Sequence, residues 1–149
     1  MFVLIVGCGR AGSALAKNLM AEGHTVSVMD ENSEAHSLLD VGMETNWENA
    51  GGLFTVGTAL EVDALVEAGI ERADSFVAAT NGDNTNLVIA QLAQRRFNVP
   101  NVVVRVLDPL RAAWYNEQGL HTICPTQVGI EMLTEAVRQA DPAIATDGA

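Results

Sequence analysis

Phe2-Val3-Leu4-Ile5-Val6-Gly7-Cys8-Gly9-Arg10-Ala11-Gly12 decides the fold, because an apolar run passes without a break into three glycines at fixed spacing. The run reads as a buried strand, the glycines as a tight turn, and the residues from Arg10 onward as the start of a helix. Each glycine has a physical task in this reading. Gly7 permits the turn, Gly9 lets a diphosphate approach the backbone, and Gly12 lets the helix pack closely on the strand. Free amides at the helix start then face the phosphates. A glycine turn that merely joins strand to helix is the plainer alternative.

The flanking sequence supports the nucleotide reading. Ala11, Ala14, Leu15 and Leu19 are expected on one face of the helix, and Gly23 ends it. A second strand over Thr25-Val26-Ser27-Val28-Met29 leads into Asp30. This acid lies about twenty residues beyond the glycines, where a carboxylate can accept both hydroxyls of an adenine-linked ribose.

Further strand-like runs occur at Leu53–Val56, Ser75–Ala79, Val102–Val106 and His121–Ile123, each separated from the next by a helical pattern. The expected fold is α/β, a Rossmann-like doubly wound parallel sheet of about six strands with helices on both faces. One helix carries Leu60, Ala64, Leu65 and Ala68 before Gly69, and another carries Ile89, Leu92, Ala93 and Phe97 before Pro100. The next is punctuated at both ends, with Asp108 as cap, Pro109 in the first turn and Gly119 at the exit. From Asp40 to Gly52 no period holds and a loop is expected, with Trp47 either exposed or folded over the sheet edge. The last helix carries a long apolar stripe of Gly129, Met132, Leu133, Ala136, Val137 and Ala140. It either packs back on its own sheet or reaches to a second subunit.

Composition bounds the function. At 149 residues and 48% apolar content, the chain supports one sizeable core. A net charge of -11 and a pI near 4.4 argue against a nucleic-acid partner, which needs a basic surface. No apolar run approaches the roughly eighteen residues of a membrane span, and the first strand starts too early for a signal peptide, so a cytoplasmic protein is expected. Cys8 and Cys124 are too few and too far apart for a disulfide framework or a zinc cluster. Cys8 lies near a helix N-terminus, where a thiol can be acidified, so redox sensing is one reading of it. His24, His36 and His121 are isolated from one another in sequence, no metal triad is visible, and His24 is expected to cap the end of the first helix.

The whole pattern resembles the RCK domains, also called KTN or TrkA N-terminal domains, which regulate potassium transporters and channels. The resemblance rests on Val6 to Gly12, on Asp30, on Leu65-Val66-Glu67-Ala68-Gly69-Ile70-Glu71-Arg72-Ala73-Asp74, and on Val77-Ala78-Ala79-Thr80 running into Asp83-Asn84-Thr85-Asn86. It implies a regulatory subunit of a Trk/Ktr-type system without catalysis. Such a subunit binds NAD(H) or ATP/ADP and modulates potassium flux through a membrane transporter. It further implies a cytoplasmic location peripheral to the inner membrane, and a homodimer or ring-like oligomer with the last helix crossing between subunits. The resemblance leads us to expect no C-terminal RCK domain of the kind common in full-length members, and so either a short form that pairs with a separate RCK subunit or a fragment cut at the domain boundary.

The implied nucleotide-binding residues are Gly7, Cys8, Gly9, Arg10, Ala11, Gly12, Asp30, Glu31, Gly57, Thr58, Thr80 and Asn81, with Arg10 reaching the phosphates. Thr58 stands where many relatives carry an aspartate, which alters the expected adenine pocket. Thr126 follows Pro125 where some relatives carry a carboxylate, so the divalent-cation site of those relatives is not predicted. The domain is expected over residues 1–141, with 142–149 as a flexible tail. An NAD-dependent oxidoreductase fragment and a ligand-free interaction module are the competing readings of the same fold.

Overall fold

The computed structural model describes residues 1–145. Strand β1 (Phe2–Val6) is followed by helix α1 (Arg10–Ala21) and strand β2 (Thr25–Asp30). A 3-10 turn (Ser33–His36) and the short helix α2 (Ser37–Asp40) lead through a loop to β3 (Leu53–Val56) and α3 (Val62–Glu67). Then come β4 (Ser75–Ala78), α4 (Asp83–Gln91) with a π-helical turn at Leu92–Arg96, and β5 (Asn101–Arg105). The remaining elements are α5 (Pro109–Glu117), β6 (His121–Ile123), α6 (Pro125–Arg138) and α7 (Pro142–Ala145).

All strands are parallel, in the order β3-β2-β1-β4-β5-β6. Both faces are covered, as side-chain alternation requires for a buried parallel sheet. Leu4 and Val6 pack with Met29, Leu65, Phe76 and Ile89 on one side. Val3 and Ile5 pack with Ala16, Val26, Val28, Leu39 and Trp47 on the other. The chain order reverses between β1 and β4, and a doubly wound sheet opens its crevice at that point.

The strands fall where expected, with β4 ending one residue earlier and β5 shifted by one. Helix faces depart more. Helix α1 buries Gly12, Ser13 and Ala16, while Ala11 and Ala14 are exposed. The close approach of Gly12 to the turn, not the apolar stripe, sets the rotation of this helix. Leu60 is exposed because it lies in the turn before α3, which buries Leu65 instead. At the end of α1, Gly23 takes the left-handed conformation (φ 93°), and the His24 ring faces Glu22 and the N-terminal ammonium instead of capping the helix. The caps of α5 are as expected: Asp108 Oδ1 accepts from the Leu110 amide at 2.9 Å, and Gly119 has φ 85°.

Trp47 is fully buried, which selects the inward-folded reading of its loop. Its indole N–H donates to the Leu53 carbonyl at 3.0 Å, and its backbone N–H donates to Asp40 Oδ1 at 2.8 Å. A Cβ at Gly52 would collide with the indole, so the neighbouring glycine is part of the fit. Helix α6 has no buried residue, and Met132, Leu133 and Val137 are each about 70% exposed. It does not pack back on its own sheet. The expected tail begins with the helical turn α7, and residues 146–149 lie outside the described residues.

Replacing Trp47 with alanine removes the largest fully buried side chain of its cluster together with an indole hydrogen bond. Urea denaturation should show Trp47→Ala destabilised by about 3–5 kcal/mol, whereas Trp114→Ala, at a half-exposed position, should change stability by less than about 1 kcal/mol.

Candidate nucleotide site

The turn after β1 is dictated by its glycines, but not all for the same reason. Gly7 has φ +109°, and a Cβ there would strike the Ala79 carbonyl on the neighbouring β4 segment. A Cβ at Gly12 would run into the Gly7 carbonyl oxygen, so α1 can press onto the turn only with glycine there. Gly9 is different. Its φ of −82° suits any residue, and nothing lies within 4 Å of the place a Cβ would occupy. The fold itself makes no demand for glycine at this position.

Gly9 is also the N-cap of α1, and no side chain caps that end. The first-turn amides therefore face the crevice with the positive end of the helix dipole behind them. The acid at the end of β2 is locked to the same turn. Asp30 Oδ2 accepts from the Cys8 amide at 2.7 Å, and Oδ1 accepts from the Asn32 amide at 2.9 Å. A carboxylate has about four lone-pair sites, so Asp30 keeps acceptor capacity toward the crevice.

Opposite this wall, the end of β4 is held by buried polar groups. Asn86 Oδ1 accepts from the Thr80 amide at 3.0 Å and from the Thr80 hydroxyl at 2.6 Å. Its Nδ2 donates to the Thr80 carbonyl at 3.0 Å and the Arg105 carbonyl at 2.9 Å. Arg105 Nη2 donates to the Thr80 carbonyl at 2.8 Å and to Asn81 Oδ1 at 3.2 Å. Asn86 is wholly inaccessible to solvent, so a missing partner for its side-chain amide would be costly.

Between these walls lies a cleft of about 410 Å³, a size suited to a small ligand. Of the expected site residues, Gly7, Cys8, Gly9, Asp30, Glu31, Gly57, Thr58, Thr80 and Asn81 line it. Arg10 and Ala11 stand exposed outside the lining, and Gly12 is buried beneath the turn. Asn32, Ala35, Ala59 and Thr85 also line the cleft, and the sequence alone gives them no role there. Asn86 is visible in the sequence only as part of a motif. Thr58 occupies its hydroxyl locally, accepting from the Leu60 amide at 3.3 Å. The lining carries the carboxylates of Asp30 and Glu31 and no lysine or arginine, so backbone amides are its source of positive potential.

Cys8 is 1% exposed, and its thiol donates to the Ala35 carbonyl at 3.3 Å. Burial first, and the nearby Asp30 carboxylate second, push this thiol up to about 11. Burial and the Asp30 carboxylate thus oppose the acidification that a redox-sensing thiol needs.

The family model of the TrkA-N domain matches residues 3–125. The Trk system potassium uptake protein TrkA of Streptomyces coelicolor is 41% identical over 123 residues, covering 83% of this chain and 52% of that protein. The chain thus spans about half the length of this relative. Among solved structures, the Shewanella denitrificans Kef CTD in its AMP-bound form aligns with a TM-score of 0.71 at 24% identity, over 99% of this chain and 87% of that one. The GsuK channel bound to NAD aligns with a TM-score of 0.76 at 21% identity, over 99% of this chain and 25% of that one. These structural likenesses show the shared fold.

The unequal glycines give a direct test. Gly12→Ala should lose roughly 2–3 kcal/mol or more from the backbone collision, whereas Gly9→Ala should stay within about 1 kcal/mol of the parent chain, both read by urea denaturation. The Cys8 thiol gives a second. Its ordinary value of 9.0 is raised to about 11 in the fold, so the unfolded chain releases the proton first. The stabilising effect of the neutral thiol is complete below pH 9 and is lost as pH rises toward 11. Melting temperatures across that window should fall less steeply in Cys8→Ala.

Proposed function

This chain belongs to the TrkA-N domain family, and from that premise we propose that it is the nucleotide-sensing domain of a potassium-uptake regulator. The cleft between the β1 turn, the end of β2 and the end of β4 takes an adenine nucleotide, NAD(H) or ATP/ADP. The observation that carries this reading is Gly9, a glycine at the uncapped N-terminus of α1 that the fold does not need. Backbone bare of a side chain is what a phosphate requires for close approach to helix amides. Asp30, fixed by the Cys8 amide, holds the ribose hydroxyls, and Thr80 and Asn81 border the phosphates from the other wall.

The names of similar proteins support the ligand class. The Kef structure was solved with AMP, and GsuK with NAD and with ADP. The relatives that match by sequence are named potassium uptake proteins and not enzymes. The cleft agrees with that, since none of His24, His36 and His121 lines it, and the oxidoreductase reading has no histidine there to serve as general acid or base.

Signalling follows from population shift. A nucleotide that makes better phosphate contacts in one arrangement of paired domains biases the pair toward it. The exposed apolar face of α6 is the element that reaches the second copy, and the partner of the assembly is a membrane potassium transporter. Among the described residues no helix is long and apolar enough to cross a membrane, in keeping with a regulator docked to that transporter from the cytoplasm.

Thermal unfolding with NAD, NADH, ATP, ADP and AMP tests the proposal. A ligand at about a hundredfold its dissociation constant adds about 2.7 kcal/mol, a rise of several degrees for a domain of this size. The rise should be absent in Gly9→Val and smaller in Asp30→Ala. No shift with any of these nucleotides would leave the fold as a ligand-free interaction module.

A further inference from the structure

In the segment between β2 and β3, three metal-ligating side chains that are separated in sequence meet at one point. His36 closes the 3-10 turn, Asp40 ends α2 four residues later, and Glu48 comes from the loop that seats Trp47. The four-residue spacing along a helical path puts His36 and Asp40 on one face, with Nδ1 3.5 Å from Asp40 Oδ2. Glu48 Oε1 meets Nε2 from the other side. One ligand atom from each of the three residues lies within 4.8 Å of the others.

Two of the three donors are held in place by further contacts. The Phe54 ring meets the imidazole edge-on at 5.1 Å between centroids. The other Asp40 oxygen accepts from the Trp47 amide at 2.8 Å, which orients the carboxylate and leaves Oδ2 directed at the histidine. The charges are unbalanced. Two carboxylates converge on one imidazole, and among the described residues neither forms an ion pair with a lysine or arginine. The Lys17 ammonium donates to the Leu38 and Val41 carbonyls beside Asp40 and forms no ion pair with that carboxylate, so a cation entering here finds two carboxylates and a ring nitrogen within reach of one another.

We propose that His36, Asp40 and Glu48 bind a divalent transition-metal ion of the zinc class, with water in the remaining positions. The donor set argues for that class. An imidazole ligand disfavours the hard cations magnesium and calcium, and the absence of thiolate disfavours soft monovalent copper. A metal here ties the Trp47 loop to the turn that carries Asn32 and Ala35, which are lining residues of the cleft.

Calorimetric titration of the nucleotide-free chain with zinc chloride, in a buffer that does not chelate, decides the matter. One equivalent should bind and raise the melting temperature. His36→Gln and Glu48→Gln should each weaken binding by at least about tenfold and lose the rise, and magnesium chloride should do neither on the parent chain. Glu48 is half-exposed and its side chain meets only His36, so Glu48→Gln leaves the fold intact and serves as the second variant if His36→Gln is unstable. The proposal is overturned if the parent chain binds no zinc, if both variants bind it as tightly as the parent, or if magnesium binds equally well.

Discussion

The contact of Gly12 with the Gly7 carbonyl is the constraint on which the rest of the cleft depends. It brings α1 down onto the β1 turn at a separation that a single methyl group would prevent. That separation fixes the rotation of the helix, and hence the direction in which its first amides point. It also aims the Cys8 amide at Asp30, so the acid at the end of β2 is registered to the turn by a charge-assisted bond of 2.7 Å. Two strands and a helix are thereby locked around one small loop.

The opposite wall is built on a different principle. There the chain leaves β4 as irregular backbone, and a fully buried asparagine takes the place of a sheet neighbour, satisfying the Thr80 amide and carbonyl together. Arg105 adds a second donor to the same carbonyl. One wall is thus positioned by the absence of side chains and the other by a side chain that substitutes for backbone. The charged side chains of the cleft between them are acidic, so an anion entering it meets backbone amides and neutral polar side chains such as Thr80 and Asn81 instead of a lysine or arginine.

Much of this was legible in sequence, because the strands are short apolar runs with turn residues at their ends and leave few alternative readings. β1, β3 and β6 fall on the residues expected, and the caps of α5 follow from Asp108, Pro109 and Gly119. Helix faces were less legible, since Ala11, Ala14 and Leu60 fit an apolar stripe whose phase the glycine contact and the turn before α3 override. Cys8 misleads for a related reason: proximity to a helix end is visible in sequence, but burial and the neighbouring carboxylate, which act the other way, are not. The same limit hides Asn86, and it hides the meeting of His36 and Asp40 with Glu48. That meeting depends on how the Trp47 loop folds, in a stretch where periodicity carries no signal.

The strand order has a further consequence, for the chain as it is made. β1 is central in the sheet but first in sequence, and its two edges are completed at very different times. The β2 side closes early, because the chain needs to extend only as far as Asp30. The β4 side waits for residues such as Asp74, whose carboxylate holds the Phe2 amide across 72 positions. Until then the emerging chain displays an apolar strand edge with unpaired backbone groups, the condition under which strands pair with the wrong neighbour. From the completion of β2 until β4 is made, the fully apolar central strand stays half-covered, and nascent-chain protection matters most over that interval.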